Sequence, residues 1–315
     1  MKLLHFMAER LLLAVPILFG VTLGAFLLGV IAPSDPALVV LTLDGTSEPS
    51  AAELASMREQ MGLNEPLVMQ FAAWVARVAQ GDLGASYITG IPVLESLLYR
   101  FPVTLWLSLV ALAWVVTLAI PAGICAAVRV NRWQDRSLRA VAMVASAIPG
   151  FWLAIVLIHY FAERWRLLPS SGYGDWEQMI LPGFVLAAGT MAAMLRLQRT
   201  SLLEVMEQPF ILTARSQGLT PRRILWRHAV PNSWLAVVTL IGTYAVGILG
   251  GSIVIESIFS LPGLGSYVLA AIRGRDYPAI QGYVLFVGFL VILINWLVDL
   301  SYFFLNPRLR TGDPR

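Results

Sequence analysis

The sequence predicts an all-α membrane protein with six transmembrane helices, and three observations support this fold class. Of the 315 residues, 58% are hydrophobic and only 13% are charged. The mean hydropathy of +0.74 is also far above that of soluble domains. Six apolar runs with almost no internal charge approach or exceed the roughly 20 residues that a helix needs to cross a bilayer. Their approximate bounds are 11–32, 103–128, 140–161, 179–195, 234–255 and 283–305.

The distribution of basic residues predicts that both termini are cytoplasmic. Segments that lie inside in this orientation hold 15 Lys and Arg residues, against 7 in the outer segments. Lys and Arg resist translocation, so the side that is richer in them faces the cytoplasm. The net charge of +3 is therefore a signal of topology. Because the basic residues are dispersed among the loops, it does not indicate nucleic-acid binding.

These spans divide the chain into four parts. Residues 1–32 form the N-terminal segment and first transmembrane helix, which is too long for a cleaved signal peptide. Residues 33–101 form a periplasmic helical segment. Residues 102–305 form a five-helix transmembrane core that contains a cytoplasmic loop at 199–232, and residues 306–315 form a cytoplasmic tail.

The periplasmic segment contains signals for two short helices. Ser50 and Glu53 have the spacing of a capping box, and Gly62 is expected to end the helix that follows. Asn64 is then expected to cap a second helix that Gly81 ends. The second helix has an apolar stripe formed by Leu67, Phe71, Trp74, Val75 and Val78. The stripe either packs on the ends of the spans or helps to receive an external partner protein.

The residue inventory excludes the common catalytic sites. The chain has three histidines, a single cysteine at Cys125 and no HExxH sequence, so it lacks the residues of a zinc protease or a cysteine nucleophile pair. Its single lysine is Lys2, so a phosphate-binding loop of the form GxxxxGK[ST] is also absent. If ATP drives this protein, another chain hydrolyses it.

Polar side chains at membrane depth are candidates for a translocation path, because a charge there is costly unless it pairs or meets water. Glu256 and His159 fall near the outer ends of their spans, where placement at the membrane interface is the competing interpretation. Asn295 and Asp299 lie four residues apart on one face of the last span. They either face the bundle interior or bond to a neighbouring helix.

The loop at 212–231 is predicted to form a compact pair of short helices. The first covers 209–217 and is closed by Gly218, the residue best suited to a left-handed cap. The second begins at Thr220 and Pro221, a threonine cap followed by a proline at the first helical position, and is expected to end at Pro231. Such a knob is suited to docking a partner. Its arginines have a competing interpretation as topology determinants that contact lipid phosphates.

The same loop resembles a known family. The run Thr213-Ala214-Arg215-Ser216-Gln217-Gly218, then nine residues, then His228-Ala229-Val230-Pro231, is similar to the EAA loop of permeases in binding-protein-dependent ABC importers. Leu212 stands at the position of the family's leading glutamate, and the peptide and nickel branch commonly has this TAR-type version. Further similar stretches are 61–67, 81–87, 100–105, 148–154, 168–173, 256–265 and 275–282. Together they resemble the first permease subunit of the dipeptide, oligopeptide and nickel importers.

The resemblance implies a type I ABC importer permease fold in the bacterial inner membrane and a set of partners. These are a second homologous permease, two ATPase subunits that bind ATP and Mg²⁺, a periplasmic solute-binding protein and the lipid bilayer. No cofactor or metal is expected in this chain. The implied contacts to the ATPase are Thr213, Ala214, Arg215, Ser216, Gln217, Gly218, Leu219, Arg222 and Arg223. The candidate path residues are Glu256, Asn295 and Asp299.

The substrate is less well defined by the sequence. Peptides and nickel or metal chelates are both compatible with the resemblance. The short outer loop 162–178 and the stretch 34–38 look closer to the nickel and chelate permeases. The alternative from another class is an ion-gradient-driven secondary transporter or channel, with Asn295 and Asp299 as its ion site. No inverted repeat is visible between the two halves of the sequence to support that alternative.

Overall fold

The chain is almost entirely helical in the computed structural model, which describes residues 2–31, 35–42 and 49–305. Within those ranges the pairing of extended chain is limited to one bridge between Ala85 and Pro92. The helices are α1 Lys2–Ile31, α2 Pro36–Thr42, α3 Ala51–Gln60, α4 Leu67–Ala79, α5 Val93–Trp114, α6 Ile120–Val128, α7 Trp133–Ala147, α8 Gly150–Leu157, α9 Ile180–Met206, α10 Pro209–Ser216, α11 Pro221–Ile224, α12 Val230–Ile258, α13 Leu264–Arg273 and α14 Tyr277–Leu305. The predicted all-α class is confirmed. The predicted tail at 306–315, the end of the first predicted span at Ala32, and Pro33 and Ser34 lie outside the described residues.

Helices long and apolar enough to cross a membrane occur four times in the described chain. They cover Leu12–Ile31, Val93–Val128, Trp176–Met206 and Tyr277–Ser301. Two further pairs of helices meet the same criteria together but are bent, one by 103° between α7 and α8 and one by 43° between Trp234 and Ala236. The total reaches the predicted six when each bent pair counts as one span.

The predicted span at 140–161 is therefore not one straight helix. Ile148 has ψ 123°, an extended value, and Pro149 stands immediately before α8. A residue that precedes proline is driven out of the helical region by a clash with the proline ring, so α7 has to end here. The sequence signal for this break was the Pro149-Gly150 pair.

A wider helical turn allows the chain to continue through Pro231. The prediction that Pro231 ends a helix is wrong, because α11 runs through a π-helical turn at Leu225–Ala229 directly into α12. In that turn the Val230 N–H donates to the Leu225 carbonyl, five residues back. The wider turn accommodates a ring that would otherwise clash with the preceding turn. A second π turn, Val115–Ala119, precedes Pro121 in the same way.

The chain forms two compact units, each assembled from separate stretches. The first unit contains Val103–Pro262, the stretch that begins at Leu293 and the first residues of the chain; the second contains Ala8–Pro102 and Gly263–Ile292. The second unit therefore joins most of the predicted periplasmic segment to residues of the predicted core.

The largest buried core of the first unit surrounds α9. It includes Ala111, Val115, Ile124, Ala187, Met194, Leu202, Ile211, Ala214, Ile224, Ala229 and Val237. Gly123 of α6 faces α9, and a Cβ at this glycine would lie 2.8 Å from both the Leu195 carbonyl oxygen and Gln198 Cβ. Gln198 is fully buried and its Nε2 donates to Ser233 Oγ of α12 at 3.0 Å. Close packing and one buried hydrogen bond thus fix α6, α9 and α12 at the same level.

The helix ends of the second unit agree with most of the predicted caps. The Ser50 and Glu53 capping box is present, and its hydrogen bonds, the one from the Ser50 side chain first, lower the pKa of the Glu53 carboxyl. Gly62 and Gly81 have φ of +67° and +83° after their helices, as predicted. The predicted cap at Asn64 is wrong. Helix α4 begins at Leu67 after Pro66, with no side-chain cap, because residues before a proline are disfavoured in a helix.

The apolar stripe of α4 packs inside its own unit. Trp74, Phe71, Val75 and Val78 pack in a cluster with Ala25 and Phe26 of α1 and Leu285 of α14. Phe26 and Phe71 have ring centroids 5.2 Å apart in an edge-to-face arrangement. This confirms the packing interpretation for four of the five stripe residues. Leu67, at 53% exposure, does not belong to the cluster.

A buried carboxylate connects two loops of the second unit. Asp276 is 2% exposed and accepts hydrogen bonds from the Ser86 hydroxyl and, at 3.0 Å, from the Tyr87 N–H. Burial, followed by the negative charge of Asp276, raises the pKa of the Tyr87 phenol to about 12. The Tyr87 side chain is therefore neutral throughout the physiological pH range.

The contact at Gly123 generates a stability prediction. We expect Gly123→Ala to destabilise the protein by about 1–3 kcal/mol, because the new Cβ overpacks against the backbone of α9. Gly189→Ala on α9 is the matched control, since a Cβ there meets nothing within 4 Å. The measurement is the thermal unfolding midpoint of both variants in one detergent. A Gly123→Ala midpoint equal to that of the control would contradict the prediction.

Candidate coupling site and translocation residues

The predicted knob is formed by residues 209–224, and a complete glycine cap holds its shape. The Gly218 N–H donates to the Arg215 carbonyl at 3.0 Å, and the Leu219 N–H donates to the Ala214 carbonyl at 3.2 Å. These two bonds define a Schellman motif, which needs a left-handed residue after the helix. Gly218 has φ +77°, so the predicted left-handed cap is confirmed. Thr220 occupies the cap position of α11 as predicted, although its side chain makes no capping hydrogen bond.

The knob is anchored to the first unit by its apolar face. Ile211, Ala214 and Ile224 are 0%, 6% and 2% exposed and belong to the buried core around α9. Leu219 is partly buried against the same core, as the residue after a Schellman glycine commonly is. The knob is therefore attached to the core around α9. In the chain it lies between α9 and α12.

The other face of the knob is exposed, positive and partly apolar. Of the nine predicted coupling residues, Ala214 is buried and Leu219 is half-buried, and the remaining seven are exposed. Arg215, Arg222 and Arg223 are among these seven, and residues 209–227 contain no acidic side chain. Leu212 and Trp226 are 64% and 56% exposed beside them. Exposed large apolar side chains among arginines are typical of a protein interface.

The sequence interpretation did not single out one ion pair, between Asp135 and Arg199, of which Arg199 lies close in the chain to the knob. Asp135 of α7 is completely buried, and Arg199 of α9 donates to both of its carboxylate oxygens, at 2.7 and 2.9 Å. In the sequence analysis Arg199 counted only toward topology, and Asp135 had no assigned role. The one available signal was an acidic residue among the arginines of the loop 129–139, and it did not identify the partner.

Glu256 lies inside the first unit. Its side chain is 0% exposed, and the Thr104 hydroxyl of α5 donates to Glu256 Oε1 at 2.7 Å. Val103, Leu107 and Phe259, which are close in the chain to Thr104 or Glu256, belong to one buried apolar cluster. The Glu256 carboxyl is thus enclosed by protein, and its depth in the membrane stays a prediction. His159, by contrast, is exposed, with Nδ1 3.0 Å from Glu163 Oε2.

The other two candidate path residues lie elsewhere in the same unit. Asn295 is exposed and Asp299 half-buried, one turn apart on α14. Between them, Val298 is so close to Gly242 of α12 that a side chain at Gly242 would collide with it. Glu256 is 14 residues farther along α12 than Gly242, which is about 20 Å of helix. The three candidates therefore do not form one cluster.

The second unit contains an open cavity of about 1130 Å³ with a charged lining. The lining includes Asp35, Arg58, Arg77, Asp82 and Tyr87, and Arg58 Nε lies 2.6 Å from Asp35 Oδ2. In the part of the chain that the structure describes, no group of three or more His, Cys, Asp or Glu side chains is arranged to hold a metal ion.

Two family models match most of the chain. The model described as binding-protein-dependent transport system inner membrane component matches residues 119–311. Its companion for the N-terminal part of the same transport system components matches residues 3–108. The first match contains the knob, Asp135, Arg199 and all three candidate path residues.

Related proteins agree with these matches. The chain is 36% identical over 307 residues to the glutathione transport system permease protein GsiC of Escherichia coli O6:H1 (strain CFT073), with 98% of this chain and 99% of the relative covered. GsiC of Shigella flexneri serotype 5b (strain 8401) gives the same identity and coverage. The solved structure of the inward-facing MetNI methionine ABC transporter has a similar fold, with a TM-score of 0.57 and 20% identity over 67% of this chain and 97% of that chain.

These findings confirm several expectations from the sequence. The type I ABC importer permease fold is confirmed, and the importer function is favoured over an ion-gradient-driven transporter. The protein is a multi-pass component of the bacterial inner membrane, and its partners include an ATPase and a solute-binding protein. ATP is hydrolysed on separate subunits, so this chain is not itself an enzyme. The chain belongs to the family of inner membrane components of binding-protein-dependent transport systems, as a permease subunit of an ABC importer.

Proposed function

We propose that this permease imports short peptides by alternating access, together with a second homologous permease and two ATPase subunits. Both termini and the knob lie on the cytoplasmic side in this proposal, in line with the 15 to 7 distribution of basic residues. The solute-binding protein delivers substrate from the periplasm. ATP and Mg²⁺ bind to the ATPase subunits. The single observation on which the proposal depends is the knob, whose buried face joins the spans and whose exposed face is suited to a partner.

Coupling in this proposal occurs at the exposed face of the knob. Arg215, Arg222 and Arg223 provide positive charge, and Leu212 and Trp226 provide apolar area that a groove in the ATPase would bury. Since Ile211 and Ala214 are packed in the core around α9, movement of the docked ATPase displaces α9 as well. Such a contact shifts the conformational equilibrium only if it differs between the inward-facing and outward-facing states.

The periplasmic segment receives the solute-binding protein in this proposal. The charged lining of its cavity offers both signs of charge at the surface of the second unit. Substrate released there then passes through the membrane, and Glu256, Asn295 and Asp299 are the side chains of this chain that we assign to the path. Because Glu256 lies apart from Asn295 and Asp299, it acts at a different depth of the path from those two.

The peptide assignment follows the relatives, and one observation supports a second candidate. The GsiC proteins, named for glutathione transport, match nearly the whole chain, and glutathione is a tripeptide. The outer loop 162–178 instead resembles that of nickel and metal-chelate permeases. A chelated metal requires no metal ligands in this chain, so both candidates are compatible with the same permease.

The substrate prediction is tested on the complete complex. In proteoliposomes with the cognate binding protein, we expect glutathione and short peptides to stimulate ATP hydrolysis and to be taken up. In this proposal, free and chelated nickel should do neither. Uptake and hydrolysis are measured with each compound in parallel. Stimulation by chelated nickel alone would replace the peptide assignment with the second candidate.

The knob prediction concerns Gly218. Valine at φ +77° is strained by about 1–2 kcal/mol, so Gly218→Val should distort the cap. We expect substrate-stimulated ATP hydrolysis and uptake to fall about 5- to 30-fold, the factor that corresponds to this energy. Gly218→Asn is the matched control, because asparagine tolerates the left-handed region. If Gly218→Val retains wild-type stimulation, the knob is not the coupling element.

The path prediction concerns Glu256. We expect Glu256→Ala to reduce uptake roughly tenfold, equivalent to about 1.4 kcal/mol, while the amount of assembled complex changes little. Thr104→Val is the control, since it removes the hydroxyl that donates to Glu256 and keeps the carboxyl group. Uptake is compared with complex recovered by size-exclusion chromatography. Wild-type uptake by Glu256→Ala would assign the residue to packing only.

A further inference from the structure

Asp135 is a buried acidic side chain whose hydrogen bonds come from three parts of the chain. Its carboxylate accepts from Arg199 Nε and one terminal nitrogen at 2.7 and 2.9 Å, from Arg139 Nε at 3.2 Å and from the Asn131 N–H at 2.9 Å. Asp135 is 0% exposed, and the Arg199 side chain is 17% exposed. The fork of Arg199 therefore meets a planar carboxylate at two points, which fixes direction as well as distance.

The carboxylate first fixes the turn between α6 and α7. Asn131 has φ +63°, and its N–H bond to Asp135 closes the turn that leads into α7. Asp135 stands in the first turn of α7, where a negative charge is favoured by the helix dipole. Arg139, one turn later, contacts the same carboxylate from a more exposed position. Hydrogen bonds from Asn131, Arg139 and Arg199 to the Asp135 carboxylate thus fix the start of α7.

Arg199 connects this point to the helices that enter and leave the knob. It lies seven residues before the end of α9, after which the chain continues into α10. The adjacent residue, Gln198, is bonded to Ser233 of α12, the helix that follows the knob. Gly123 of α6 also packs closely against Gln198 and Leu195. At this level, α9 contacts α6, α7 and α12.

The contact with α9 matters for α7 because the backbone does not continue from α7 into α8 as one straight helix. The chain bends by 103° after α7, so α7 and α8 are not a continuous rod. A purely apolar contact between α7 and α9 would permit sliding, whereas a buried bidentate pair restricts it. A buried ion pair contributes little net stability compared with an apolar pair of the same shape. Its directional restraint is the property that apolar residues would not supply.

We propose that Asp135 and Arg199 are positioning residues that transmit the displacement of the knob to α7. This inference rests on the proposed coupling role of the knob. When the ATPase subunits move the knob, α9 moves with it, and the Asp135–Arg199 pair makes α7 follow. The pair remains closed during the cycle, since it acts as a rigid connection and not as a gate.

The test measures how many ATP molecules are hydrolysed for each substrate imported. Asp135→Asn and Arg199→Lys are reconstituted in the complete complex with its ATPase and binding protein. We expect this ratio to rise about tenfold, within the range of about 5- to 150-fold that is typical of coupling between sites. A purely structural role would lower hydrolysis and uptake together and leave the ratio unchanged. Arg136→Gln, an exposed position on α7, is the matched control and should keep the wild-type ratio.

A cross-link distinguishes a rigid connection from a gate. In a Cys125→Ser background, Asp135→Cys and Arg199→Cys are joined by a short bifunctional thiol reagent. We expect cross-linking to lower the ratio toward that of the wild type, because the connection no longer depends on charge. If the cross-link abolishes uptake, or if both single variants keep the wild-type ratio, the proposal is wrong.

Gly218→Val, measured in the same experiment, separates this proposal from the coupling role on which it rests. Reduced substrate-stimulated hydrolysis and uptake in Gly218→Val, with a normal ratio in Asp135→Asn and Arg199→Lys, would contradict the positioning role alone. Wild-type hydrolysis and uptake in Gly218→Val would contradict the coupling role of the knob, whatever the ratios of the other two variants.

Discussion

The structure depends on one constraint, that each backbone polar group within a membrane needs a partner inside the protein. Helices satisfy this requirement through their backbone hydrogen bonds. A proline in a span lacks the N–H donor, and its ring clashes with the preceding turn. At Pro121, Pro149 and Pro231 the chain responds in two ways. Before Pro121 and Pro231 it widens into a π turn and continues, whereas at Pro149 it ends one helix and starts another at an angle of 103°. The straight and bent spans of the first unit follow from these local solutions.

A second property follows from the way α9 is packed. Its cytoplasm-proximal part in the proposed topology contains Arg199 and Gln198 side by side, one bonded to α7 and the other to α12. Neighbouring residues on a helix point about 100° apart, so two adjacent polar side chains reach two different helices. Close contact with Gly123 adds the third helix. The knob is thus attached to a group of helices, and its exposed arginines remain available to a partner.

Local sequence patterns predicted the parts of the structure that depend on local backbone chemistry. The capping box at Ser50 and the left-handed glycine at Gly218 were predicted because the hydrogen bonds involved join residues only a few positions apart. The predicted cap at Asn64 was wrong because Pro66, two residues later, excluded it. The helix end expected at Pro231 was wrong because a π turn, which has no clear sequence signature, absorbed the proline.

The sequence by itself determined the fold class, the number of apolar runs, the absence of a nucleotide-binding loop and the knob with its exposed basic face. Only the tertiary structure showed that Asp135 pairs with Arg199 and that Glu256 is buried against Thr104. Composition and periodicity report on one helix at a time. The partner of a buried polar group lies 64 residues away in the first case and 152 in the second, and the packing of helices alone decides which side chains meet.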